Sequence, residues 1–125
     1  MLRSALSLMA GLVTWVLAAS LLNRLLRAGL DGYALAEPSL TFTLTMQCAR
    51  LLVGGLSSLA TGWVVGRVQP ARPRLAWIAG GIILVIFVPV HYGLWDRFPV
   101  WYHLTFLLSI VPLVATGGWL TRASH

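Results

Sequence analysis

Four long apolar stretches divide the chain, at about 4–26, 40–66, 75–95 and 100–120. Each comes close to or exceeds the ~20 residues that an α-helix needs to cross the hydrocarbon core of a bilayer. Short polar connections separate them. The pattern predicts an all-α, four-helix transmembrane bundle of antiparallel, up-down topology, formed as one domain over residues 1–125.

The punctuation between the stretches supports those boundaries. In the first connection, AGLDGYALAEPS, Gly29 and Gly32 stop one helix and Pro38 suits the first turn of the next. The second connection, RVQPARPR, carries prolines and arginines without an acid. The third, around Asp96 to Pro99, is short enough to make a hairpin of the last two helices. Leu40–Gly66 would be ~40 Å long as a helix at ~1.5 Å per residue, so it must tilt or protrude. Pro89 and Pro112 fall inside the third and fourth stretches, where a kink or local unwinding is expected. Ala18, Ala19 and Ser20 offer the small residues of a signal cleavage site. The apolar core there is near spanning length and Arg24 and Arg27 follow it at once, so an uncleaved helix is expected.

Composition agrees with a membrane solvent. Hydrophobic residues make up 58% and charged residues 10% of the 125, against ~25% charged in soluble domains. The mean hydropathy is +0.85. The formal net charge of +6 does not point to nucleic acid, because eight of the nine basic residues, all arginine, are scattered at segment ends and are not grouped on one polar surface. Their distribution is topogenic. Arg3, Arg67, Arg72, Arg74 and Arg122 fall on one side, and Arg24, Arg27 and Arg97 on the other. That asymmetry predicts an inner-membrane protein with both termini in the cytoplasm. Trp63, Trp77 and Trp119 would belt the cytoplasmic ends, and Tyr33, Tyr92, Trp95, Trp101 and Tyr102 the outer ends. Cys48 is the single cysteine, so neither an internal disulfide nor a CxxC redox pair is available.

Arg50 lies well inside the second apolar stretch. A cation at that depth costs at least ~2.5 kcal/mol on insertion scales and normally faces a partner or a cavity. Glu37, Asp96, Asp31, the Val85 carbonyl freed by Pro89, His91, His103, Asn23 and Gln47 are its candidate partners by level. Two readings follow: a structural anchor that ties the helices together, or a site for an anion, quinone or headgroup held by the forked guanidinium donors. On the same helical stripe, Gly54, Ser58, Gly62 and Gly66 recur every four residues as a small-residue ridge. The ridge serves either the bundle centre or a homo-oligomer or partner interface.

HYGLWDRFPVWYH, residues 91–103, is the densest cluster of distinctive side chains. It reads as an interfacial aromatic hairpin, alternatively as a docking surface, and alternatively as haem or metal ligation by His91 and His103. Zinc would need further ligands, and Cys48 lies too deep to be an easy one. No acidic residue sits in the apolar part of any span, and no hydrolase, zinc-protease or phosphate-loop motif appears.

In size and four-span layout the chain resembles the small multidrug-resistance exporters. Those carry a membrane-embedded glutamate in the first helix, where this chain has Thr14, Ser20 and Asn23, so that activity is not carried over. The segment FPVWYHLTFLLSIVPL, residues 98–113, resembles one found in small uncharacterised four-span bacterial membrane proteins. That resemblance lies in roughly the last quarter of the chain and implies no activity.

The sequence thus leads to a non-enzymatic small membrane protein, expected to need no cofactor. Its leading role is an accessory or assembly subunit packing through Gly54, Ser58, Gly62 and Gly66. The alternative is a binding or permeation protein for a small anion or lipid-like molecule, using Arg50; Arg50, Gln47, His91, His103, Asp96 and Glu37 form a polar cluster that is either ligand-binding or structural. Its expected partners are the bilayer and either a second copy or a larger membrane protein, with no nucleic acid.

Overall fold

In the computed structural model, which describes residues 1–123, four long helices account for most of the chain. These are α1 (Leu2–Gly29), α3 (Leu44–Val68), α4 (Arg74–Gly93) and α5 (Val100–Ala123), with a single-turn α2 (Tyr33–Ala36) between the first two. Residues 124–125 lie outside the described part. All four long helices have the length and apolar composition to cross a membrane. Their outward faces carry large apolar side chains such as Leu17, Leu21, Leu52, Val85 and Leu108. On a water-facing protein such a surface would drive aggregation; against lipid it costs nothing. The chain is therefore a multi-pass membrane protein.

α3 packs on both α1 and α5, and α4 packs on α5. The fourth side, between α1 and α4, is much more sparsely packed. For reference, the proximal end of the bundle carries the termini and the α3–α4 connection. The distal end carries the α1–α3 and α4–α5 connections.

The small residues of α3 are where α5 comes close. A Cβ on Gly62 would sit 1.8 Å from the Val114 carbonyl oxygen, and one on Gly66 2.4 Å from Thr121 Oγ1. The approach is reciprocal, because a Cβ on Gly117 would meet the Leu59 carbonyl oxygen at 2.1 Å. Gly54 is covered by the Phe106 ring and Ser58 is buried. The ridge is thus consumed inside the chain, and a partner subunit cannot use it without displacing α5. On the α1 side, polar side chains tie backbone to backbone. Ser7 Oγ donates to the Val65 carbonyl at 3.0 Å and Thr61 Oγ1 to the Gly11 carbonyl at 3.2 Å. Trp15 Nε1 donates to Ser58 Oγ at 3.1 Å. In an apolar solvent these bonds remove the cost of leaving such groups unmade.

Three local expectations change. The second span starts at Leu44 instead of Leu40. Thr43 caps it, its Oγ1 accepting from the Met46 backbone N–H at 3.3 Å. Pro38 belongs to a separate 3₁₀ turn, Glu37–Ser39, which ends on Leu40 at φ +58°. α4 and α5 continue unbroken through Pro89 and Pro112.

Candidate functional site

Near its C-terminus α1 releases the chain into a turn that doubles back into the bundle. Gly32 takes φ +80°, a left-handed conformation that costs glycine nothing. The next residue, Tyr33, is driven inward and is 0% exposed. Its ring stacks on Phe42, which stacks in turn on Phe98, and Phe98 on Tyr102.

Arg50 reaches into this aromatic group. Its Nη1 donates to the Tyr33 hydroxyl at 2.7 Å and its Nε to the Tyr102 hydroxyl at 3.2 Å. The guanidinium carbon lies 4.6 Å from the centre of the Phe42 ring and 5.8 Å from that of Phe98. Hydrogen bonds that involve a charged group contribute ~1.5–3 kcal/mol each, and a cation over an aromatic face ~0.5–2 kcal/mol. Together these match the insertion cost of the cation. They do not neutralise it. Among the described residues the one ion pair is Arg27–Glu37, so no carboxylate lies within 4 Å of Arg50.

A relay of hydrogen bonds runs from Arg50 to the distal surface. The Tyr33 hydroxyl donates to Asn23 Oδ1 at 2.6 Å, Asn23 Nδ2 donates to Glu37 Oε2 at 2.8 Å, and Arg27 Nε donates to Glu37 Oε1 at 2.5 Å. The Arg27 hydrogen bond holds the Glu37 carboxyl below the usual carboxylate range, against the opposing effect of burial. Burial pushes the Tyr33 hydroxyl up, so it keeps its proton and stays a donor to Asn23.

His91 on α4 and His103 on α5 are buried, and their Nδ1 atoms lie 2.6 Å apart. His103 Nε2 is 3.2 Å from the Trp95 carbonyl, and the two rings stack. Two nitrogens on one zinc ion would each lie ~2.0–2.1 Å from it, which spreads them further apart than this. The rings are bonded to each other and do not diverge toward a metal. No group of three or more metal-ligating side chains occurs among the described residues, and Cys48 faces outward, away from the pair.

Between α1 and α4, in the distal half, lies a cavity of about 330 Å³. That is within the ~300–1,000 Å³ of small-molecule sites. Trp15, Phe87 and Phe106 close its proximal side, with Trp15 and Phe87 centroids 4.7 Å apart. Ala19, Ser20 and Asn23 supply the α1 wall, and Val90, His91 and Leu94 the α4 wall. Arg50, Phe98 and Tyr102 line the side opposite the seam, and Glu37 its distal edge. Ser20 is exposed on the bundle surface, so the cavity reaches the lipid-facing side at its α1 rim. Asn23 and Glu37 make its distal end polar.

Of the residues expected to form one polar cluster, Arg50, His91 and Glu37 line this cavity and His103 backs His91. Asp96 and Asp31 are exposed and do not line it, and the Gln47 side chain hydrogen-bonds to none of the described groups. The partners that Arg50 does find, Tyr33 and Tyr102, lie inside the bundle and not in the interfacial belt expected of them. Tyr33 is 0% and Tyr102 4% exposed. Tyr33 follows a glycine in a loop, and nothing in its spacing signals that the loop re-enters the bundle. Tyr102 lies four residues after Phe98 and one before His103, a spacing compatible with an inward face.

Comparison with family models, curated proteins and solved structures finds no match to this chain.

Proposed function

We propose that this membrane protein binds a small amphiphilic molecule whose anionic or strongly accepting oxygen sits beside Arg50. The observation that carries the reading is the conjunction at one wall: a guanidinium with no carboxylate within 4 Å, facing a cavity of about 330 Å³ that lies at an open helix seam. A purely structural arginine would be sealed in by its partners. Arg50 Nη2 donates to no protein group among the described residues, yet it is not closed off by protein atoms. The aromatic and aliphatic lining suits the apolar part of a ligand, and the fork of the guanidinium suits an oxygen.

The seam between α1 and α4 supports entry from the bilayer. The ligand is then lipid-soluble, with its polar group in the distal half. The arginines at the proximal end support cytoplasmic termini in a bacterial inner membrane, which puts the cavity in the outer leaflet half. An accessory subunit packing through the small-residue ridge needs that ridge free. With α5 filling that ridge, an assembly partner would need another face, and the cavity is the better-supported site.

Gentle detergent purification from native membranes followed by native mass spectrometry tests this. Wild-type protein is expected to carry a bound mass that Arg50→Gln loses and that Ser20→Trp, plugging the seam, reduces. Wild-type protein that carries no adduct, and takes none from an added lipid extract, sinks the reading.

A further inference from the structure

The two histidines define what the ligand must present to the cavity. A carbonyl only accepts hydrogen bonds, so His103 Nε2, 3.2 Å from the Trp95 carbonyl, carries a hydrogen. In the uncharged ring its Nδ1 is then bare. The 2.6 Å contact between the Nδ1 atoms needs one hydrogen, which therefore sits on His91. That leaves His91 Nε2 as a bare acceptor. His91 is only 6% exposed and lines the cavity. Its Nε2 has no donor among the described residues and is not sealed in by protein atoms, because the one sealed side-chain nitrogen or oxygen without a partner is Ser4 Oγ. The cavity thus offers a donor cation at Arg50 and a fixed acceptor at His91.

Resting on the binding reading above, we propose that the ligand is a membrane-soluble quinol: a flat ring with oxygens at opposite ends, at least one of them a hydroxyl. One oxygen accepts from Arg50 Nη2, and the hydroxyl at the other end donates to His91 Nε2. Phe87, Phe98, Phe106, Tyr102 and Trp15 provide aromatic walls for the ring, and the tail leaves through the α1–α4 seam. The oxidised quinone carries two acceptors and no donor. It would set a lone pair against the bare His91 Nε2, so the site favours the reduced form. A saturated fatty acid satisfies Arg50 and leaves His91 without a donor. The recognition is binding alone, and no electron transfer is implied.

The test uses full-length protein in phosphatidylcholine nanodiscs, titrated anaerobically with decyl-benzoquinone and with its reduced form. The quinol is expected to bind about tenfold more tightly, the equivalent of one good hydrogen bond. In His91→Gln the amide can turn either its donor or its acceptor to the cavity. The preference is then expected to fall to about onefold, with the oxidised form still binding. Equal affinities for the two forms in the wild type overturn the proposal, as does a tenfold preference that survives in His91→Gln. If neither form binds but dodecanoate does, in an Arg50-dependent way, the quinol is wrong and the cavity reading stands. If no probe binds, both fall.

Discussion

Tyr33→Phe isolates one atom of the Arg50 cluster. The hydroxyl it removes accepts from Arg50 Nη1 and donates to Asn23 Oδ1 in a side chain that is 0% exposed. Both partners lose a hydrogen bond in a poorly hydrated place, which costs ~1–3 kcal/mol. Thermal unfolding in detergent should show the loss, and an unchanged midpoint would mean the hydroxyl does not bridge them. Glu37 gives a pH signature. Its carboxyl is held below the usual range in the folded protein, chiefly by Arg27, so its contribution is present above the ordinary carboxylate value near ~4 and fades as pH falls through the depressed one. Stability measured from pH 7 down to 3 should drop in the wild type. In Glu37→Gln that acid-side drop should be shallower. These residue-level facts were only partly legible in the sequence. The depth of Arg50 demanded a partner, but whether tyrosine or carboxylate would supply it depended on the turn at Gly32, which folds back because glycine permits φ +80°. His91 and His103 stood out by composition. Their mutual hydrogen bond follows from helix packing at the α4–α5 hairpin, which spacing alone does not give.

Among the helices, length and apolarity located all four spans within a few residues, because a bilayer imposes one dominant constraint on backbone and composition together. The misplaced edge at Leu40 shows where that logic stops. TFT is apolar enough to extend the run, while Thr43 caps α3 and excludes it from the helix. The small-residue ridge was legible as a close-approach surface, and its occupant was not. Gly62→Ala should therefore be costly. Its methyl would meet backbone at Val114, where neither side can give way. Separating α3 from α5 should cost ~1–3 kcal/mol. Gly81→Ala, with nothing within 4 Å of the new methyl, should be neutral or gain up to ~1 kcal/mol of helix propensity. Comparing the two unfolding midpoints checks the assignment, and similar values would show that the α3–α5 contact is not tight.

For the whole molecule, the orientation inferred from the arginines makes a labelling experiment decisive. Cys48 faces outward from an apolar helix, so an impermeant maleimide should not reach it from either side of intact cells. With Cys48 replaced by alanine, Asp96→Cys in the exposed distal turn should label from outside the cell. Labelling that requires lysis would invert the topology. α1 has another consequence at this scale. Its candidate span is 11% buried, against 33% for each of the other three. It also precedes α3, which receives Ser7 and Trp15, in the chain and so emerges before it during synthesis. For that interval α1 must reside in lipid without α3. Its composition allows this, because Thr14 returns its hydrogen bond to Ala10 within the same helix. The helix that fences one side of the cavity is thus the one held least by protein, so the α1–α4 seam that opens the cavity to lipid is bounded by the most lipid-exposed of the four spans.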